Sequence, residues 1–481
     1  MSEEKPRGIV RYEAVEDDYL HKRQLQRSAG WILLWALGVG AVISGDFSGW
    51  NFGLASGGFG GLAIATLLMA LMYVCMVFSI AELSAALPHA GGFYSFTRNA
   101  FGPFGGFLCG VTDTIEYVIT PAVVVFFIGS YMQTLLPTVP LVIWWVLFYA
   151  VFVLINIRGV ELTLKAGLVV TAIAAAVLVI FFVAVIFSGK FDPALLVNIP
   201  PEPGNPNWLP FGWAGVFKAL PYAIWFYLAI EQLPLAAEEA HDTVRDIPKA
   251  LIWGIVTLLL LSLFVLVLNT GMPATFDIKD DTGKVIETVT GAAAISRTGA
   301  PVADGFKAIF GEGLIFTVLT SLAVAGLIAS FHTIIYAYGR VLFSLSRAGY
   351  YPRWISITSK FHTPAIALIV GALIGLACIL ILDSSGQTVL IGSTLINMAV
   401  LGAVISYATV MVSYIKLKIS RPDLDRPYLS PLGIGGAAIG AVLAIVALLA
   451  CFADPAYQPA VAWVVSFCGG DGCLFPALFA P

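Results

Sequence analysis

The sequence predicts an all-α membrane protein, on three observations. Of its 481 residues, 59% are hydrophobic and only 11% are charged, with a mean hydropathy of +0.92; a water-facing surface needs far more charge than this. Apolar stretches of about 20 residues, the length that crosses a bilayer, recur along the whole chain. Two of them are interrupted by glycine, proline and carboxylates, and the interruptions lie five stretches apart. The net charge of -4 offers no basic patch for nucleic acid.

Taken in order, residues 1–28 are polar and lack the short apolar core and small-residue cleavage site of a signal peptide, so they are expected to be a cytoplasmic tail. Spans follow near 30–55, 60–86, 104–136, 140–157, 166–188, 211–237, 250–271, 312–339, 364–382, 387–415, 431–453 and 458–478. Twelve spans put both termini on one side. Of the 25 Lys and Arg residues, only Lys190, Lys218, Lys279, Lys284, Arg297 and Lys307 fall on the other side, so the termini are expected to face the cytoplasm. Segment 272–311 reads as an external loop with one or two short interfacial helices. The six cysteines show neither a disulfide framework nor zinc-ligand spacing. At the C-terminus, "CGGDGC" interrupts the last span, and from residue 467 onward the chain reads as the product of a frameshift.

The first interruption holds Ser44, Gly45, Asp46 and Gly49, after a good helical start at Trp31–Ile43; a glycine weakens a helix by roughly 1 kcal/mol relative to alanine. The second lies in "AIWFYLAIEQLPLAAEEA", where Glu231 and Gln232 precede Pro234, which removes a helix hydrogen bond. Backbone released at membrane depth is tolerated only where it lines a protein cavity, and matched breaks in two halves point to a transporter's substrate site. Packing between helices is the blander use of such residues. The matched positions divide the chain into inverted repeats, 29–188 and 211–415, helices 1 and 6 being unwound at mid-membrane, with two further helices in 431–481.

Several stretches also carry a resemblance. "ELSAALPHAGGFYSFTRNAFGPFGGF" (82–107), "AAEEA" after span six, "YGRVLFSLSRAGYYP" after span eight and "RPDLDRPYLSPLG" after span ten resemble the amino acid, polyamine and organocation (APC) transporter superfamily over residues 30 to about 465. Within it, "GVGAVISGDFSGWNFGL" is most similar to the bacterial ethanolamine permeases. The resemblance implies a five-plus-five inverted-repeat fold, alternating access, residence in a bacterial inner membrane, and a substrate held between helices one, three, six, eight and ten.

It also sharpens the meaning of Asp46. Amino acid carriers of this superfamily usually present free backbone N–H groups at the helix-one break to a substrate carboxylate; here a carboxylate occupies that break. An Asp at mid-membrane costs roughly 2.5 to 3.5 kcal/mol, repels an acid and attracts an amine. No Lys or Arg lies within a span near that depth to make it a structural ion pair. The expected substrate is therefore a small cationic amino alcohol, ethanolamine, with an amino acid as the alternative.

The candidate substrate-binding set is Ser44, Gly45, Asp46, Phe47, Glu116, Trp225, Phe226, Tyr227 and Glu231. The rings beside the breaks offer cation-π attraction. Glu231 matches an acidic residue often found in helix six of the superfamily and is also the candidate proton-coupling group, hydrogen bonding to loose backbone being its structural alternative. Asp113 and Glu116 share a helical face and stand equally as site groups or as tethers, and His332 is a packing residue or a site residue. Glu82, Glu238, Glu239, Arg340 and Arg347 sit at cytoplasmic helix ends, where ion pairs of a gate are expected. The lysine of some proton-coupled members falls here near Ala174, which puts lysine-based coupling in doubt. A membrane enzyme would need a convergent nucleophile or metal set, yet only His332 among five histidines lies within a span; no metal or cofactor is expected.

Overall fold

Glycine directs the chain through its first two spans. In the computed structural model, which describes residues 29–453 apart from 89–90, 238, 281–283, 362 and 385–387, α1 runs Trp31–Val42 and a short α2 follows at Ser44–Phe47. Ser48 is then extended and Gly49 turns to φ +97°. A Cβ on Gly49 would lie 2.5 Å from the Trp225 indole nitrogen, so only glycine fits this turn. α3 spans Phe52–Ala86 with Gly58 at φ +66° inside it. Residues 52–57 thus complete the first span, and the second begins beyond Gly58, as the expected limits of 55 and 60 imply.

α4 (Gly92–Leu135) starts earlier than expected because a helical piece precedes a kink at Gly102, φ +74°, just before Pro103. α5 (Leu141–Arg158) and α6 (Val160–Ser188) close the first half. α7 (Gly212–Trp225) ends in turns, a 3-10 segment covers Ile230–Ala236, and α8 runs Thr243–Thr270. Segment 272–311 differs from the expected loop: an antiparallel hairpin, β1 (Thr275–Lys279) and β2 (Val285–Thr290), precedes the short helices α9 (Gly291–Ile295) and α10 (Pro301–Phe310). Its signal is the alternation of "TFDIK" and "VIETVT" about a polar turn, hidden by the density of charge. α11 (Leu314–Arg347), α12 (Ala365–Ser384), α13 (Thr388–Ser420) and α14 (Gly433–Ala450) complete the described chain.

Among the described residues, ten helical segments are long and apolar enough to cross a membrane, and Trp31–Phe47 is a shorter apolar one. The expected tail 1–28, the span near 458–478 and the stretch read as frameshifted lie outside the described residues. Large apolar side chains also point outward, among them Phe187, Leu67, Phe104 and Leu373, as they do on helices whose solvent is lipid. Elements five spans apart pack on one another: α1 on the 3-10 segment, α3 on α8, α4 on α11, and α5 on α12. This is the APC-type architecture, and it sets the two breaks against each other. The face carrying 272–311 is called the hairpin face below, and the opposite one, where α1 begins, the tail face.

Candidate functional site

The two breaks touch through backbone. A Cβ on Gly45 would lie 2.4 Å from the Trp225 carbonyl oxygen, and the Trp225 indole N–H donates to the Ser48 carbonyl at 2.9 Å. The Ser44 amide donates to Ser330 Oγ (2.9 Å), which in turn donates to the Gly40 carbonyl (2.8 Å); α11 thereby supports the end of α1. The Phe47 carbonyl accepts from the Tyr131 hydroxyl at 2.7 Å, and its ring presses on Gly326, where a Cβ would be 2.1 Å away. Phe226 stacks on Trp50 with centroids 5.5 Å apart. Tyr227 shares a 2.9 Å hydrogen bond with Ser262 and packs on Tyr73.

Into this junction the chain places Asp46, 0% exposed. Among the described residues, neither carboxylate oxygen has a hydrogen-bond partner and no Lys or Arg forms an ion pair with it. Tyr227 is its electrostatic neighbour. A buried carboxylate without partners is rare because its desolvation goes uncompensated.

Glu231 is placed differently. Its Oε1 accepts from the Ala229 amide at 2.9 Å and from the Tyr117 hydroxyl at 3.5 Å. Ala229 has φ +86°, the one left-handed non-glycine among the described residues, a conformation costing roughly 1 to 2 kcal/mol. Glu231 therefore fastens the second break. Glu116 lies beside it, and Glu116 Oε1 accepts from Tyr407 at 3.3 Å, while Glu231 Oε2 has no hydrogen-bond partner among the described residues. Tyr407 also receives the Tyr73 hydroxyl at 3.1 Å, so a file of tyrosines joins the carboxyl pair to Tyr227 beside Asp46.

The breaks and Glu116 thus lie together in the fold. Asp113 sits one turn away beside Cys109 Sγ (3.8 Å), near enough to Glu231 and Glu116 to feel their charge, whereas His332 packs on α5 through Asn156 (3.1 Å) and Phe152. Ala174 is fully buried. Sequence reasoning missed Tyr73, Tyr117, Tyr131 and Tyr407, single hydroxyls in apolar runs without any spacing signal, and Ser48 and Asn51.

The last two seal the site toward the hairpin face. Ser48 Oγ donates to the Gly299 carbonyl (2.7 Å), and the Asn51 amide donates to the carbonyls of Ile295 (2.7 Å) and Thr298 (2.9 Å). Toward the tail face, Ala29 pairs with the Glu239 and His241 backbone at 3.0 and 2.9 Å, and Glu239 is held by Arg340 and Tyr336. Glu82 is held by Lys418, Arg426 (3.1 Å), Tyr414 (2.8 Å) and the Ser430 amide (2.8 Å). Arg347 lies over the Phe343 ring, and Glu238 falls outside the described residues.

A bundle of membrane-length apolar helices whose two broken segments meet at a buried polar site, closed toward both faces, defines a carrier. The chain belongs to the amino acid permease family, whose model matches residues 30–468. It is similar to an uncharacterized transporter of Rhizobium meliloti (strain 1021), 30% identical over 356 residues covering 72% of this chain and 71% of that protein. The amino-acid permease RocC of Bacillus subtilis (strain 168) is 28% identical over 73% of this chain and 72% of its own. The aromatic amino acid transport protein AroP of Escherichia coli (strain K12) is 25% identical over 84% of each. All three are named as transporters or permeases.

Proposed function

We propose that this permease carries ethanolamine, or a closely related small amine, with the substrate ammonium seated on Asp46. The unpartnered, fully buried Asp46 carboxylate carries this reading: it supplies acceptors with no donor, the complement of an R–NH3+ group. Trp50, Phe226 and Tyr227 crowd the same junction, and a desolvated ammonium beside such rings gains about 2 kcal/mol. Ser44, Gly45, Phe47 and Trp225 shape the pocket wall, while Glu116 and Glu231 form its far, acidic end. An amino acid is the second reading, favoured by the names of the similar permeases; its carboxylate would have to sit beside Asp46 in a low dielectric.

In this reading the two repeats, 29–188 and 211–415, rock about the breaks. The tail face is cytoplasmic in a bacterial inner membrane, and import is driven by a proton exchanged at Glu231. Uptake of labelled ethanolamine into proteoliposomes, challenged with ethanolamine, choline, amino propanols, alanine and phenylalanine, tests it. Small amines should compete and the amino acids should not; competition by alanine at concentrations where amino propanol fails would transfer the assignment to an amino acid.

A further inference from the structure

Three basic side chains on the tail face are committed to buried carboxylates within the protein: Arg340 to Glu239, and Lys418 and Arg426 to Glu82. Arg245 and Lys249, one turn apart on α8, are placed otherwise. Together with Ile252 and Trp253 of the next turn, and Pro427 and Tyr428 of the connection between α13 and α14, they line a groove of about 530 Å³. Lys249 Nζ lies 3.9 Å from the centroid of the Trp31 ring, which holds the ammonium in place, and no carboxylate among the described residues pairs with it. Arg245 has one long contact, 3.8 Å to Asp242. The other oxygen of that carboxylate caps α8 through the Val244 and Arg245 amides (3.1 and 3.3 Å), and Asp246 is turned back onto the Asp242 amide (3.2 Å).

Depth in the membrane decides what such a groove meets. α8 has 28 residues, about 42 Å at 1.5 Å per residue, against a hydrocarbon core of about 30 Å. Its first turns therefore stand in the headgroup layer. Trp253, 54% exposed, lies one turn deeper on the same face, where an aromatic ring marks the boundary with the acyl chains. We propose that this groove binds the phosphate headgroup of an anionic phospholipid, Arg245 and Lys249 taking the phosphate and Trp253 lying along an acyl chain. Basic pockets at the ends of membrane helices recognise headgroups in this way, and the Arg guanidinium suits phosphate oxygens especially well. The site is separate from Asp46 and stands whether or not the substrate assignment holds.

The test uses the full chain in a non-ionic detergent, with short-chain phosphatidylglycerol and phosphatidylcholine as probes and inorganic phosphate as competitor, read by thermophoresis. Phosphatidylglycerol should bind and phosphatidylcholine should not. The double variant Arg245→Gln, Lys249→Gln should bind phosphatidylglycerol tenfold or more weakly while eluting as a monodisperse species with unchanged ethanolamine affinity, and Trp253→Ala should weaken it several-fold. Equal binding of the two lipids, or a double variant that binds phosphatidylglycerol like the wild type, overturns the proposal. Full competition by millimolar phosphate would make this a site for the free anion and equally overturn the lipid assignment.

Discussion

The two breaks solve the same problem, a carboxylate at membrane depth, in opposite ways. At the second, Glu231 gives one oxygen to the left-handed turn at Ala229 and the Tyr117 hydroxyl and lies beside Glu116. At the first, neither Asp46 oxygen has a hydrogen-bond partner among the described residues, the nearby Ser44 and Gly49 amides being given to Ser330 and Asn51 instead. A carboxylate that fastens backbone explains itself through the fold; for Asp46, fully buried and without a partner among the described residues, we propose that the substrate ammonium is the partner. Glu239 and Glu82 supply a third case, carboxylates matched by cations, which marks them as latches between helices.

Breaking a latch should produce the largest loss of stability. Arg340→Ala takes the cation from Glu239 at 0% exposure and leaves it the Tyr336 hydroxyl, and removing one member of a buried pair costs about 3 to 5 kcal/mol; a sharp fall in thermal unfolding temperature checks this. Lys418→Met should cost much less, because Arg426, Tyr414 and the Ser430 amide still hold Glu82.

The contact between the breaks comes next. Gly45→Ala drives a methyl into the Trp225 carbonyl, an overpacking cost of about 1 to 3 kcal/mol. Uptake should fall more than stability, since this contact positions Asp46. Uptake within a factor of two of the wild type would show that the breaks part readily.

Asp304 on α10 is a carboxyl outside the spans. Burial pushes it up to about 6 from its ordinary 3.8, against smaller opposing effects of Thr298 and Lys307. Because the ionised form is the one disfavoured in the fold, its cost is absent below pH about 4 and grows as pH rises through about 6. Its partial exposure reduces the effect to on the order of 1 kcal/mol. Unfolding temperatures compared at pH 5 and 7.5 should show a decline that Asp304→Asn flattens; an identical decline in the variant would assign it to other groups.

The smallest stability change is expected at Glu231. A glutamine there still accepts from the Ala229 amide, so Glu231→Gln should cost less than about 1 kcal/mol while abolishing pH-driven accumulation and sparing exchange. Equal loss of both transport modes would leave Glu231 with its backbone role alone.

Much of this was legible beforehand, for a physical reason. Breaks at Gly49 and Pro234, and Asp46 without a basic residue at its depth, are violations of membrane rules, and violations show in a sequence. The clustering of Tyr73, Tyr117 and Tyr407 around the Glu116–Glu231 pair was not legible, since a tyrosine in an apolar run breaks no rule and only three-dimensional packing brings these hydroxyls together. The hairpin of 275–290 was obscured because its exposed strands bury no apolar face and flank a charged turn, and the hold of Ser48 and Asn51 on residues 295–299 joins elements about 250 positions apart in the chain.

The central claim, that Asp46 receives the substrate ammonium, is tested most directly by calorimetry of ethanolamine on purified wild type and Asp46→Asn. The amide keeps the shape of the side chain, so the variant should elute as a monodisperse species with an unchanged unfolding temperature or a higher one. Loss of a charge pair in a desolvated pocket commonly costs a few kcal/mol, and each 1.4 kcal/mol is tenfold in affinity. A fall in ethanolamine affinity of about a hundredfold or more is predicted; binding within about threefold of the wild type would contradict the assignment and move the ammonium to the Glu116–Glu231 pair.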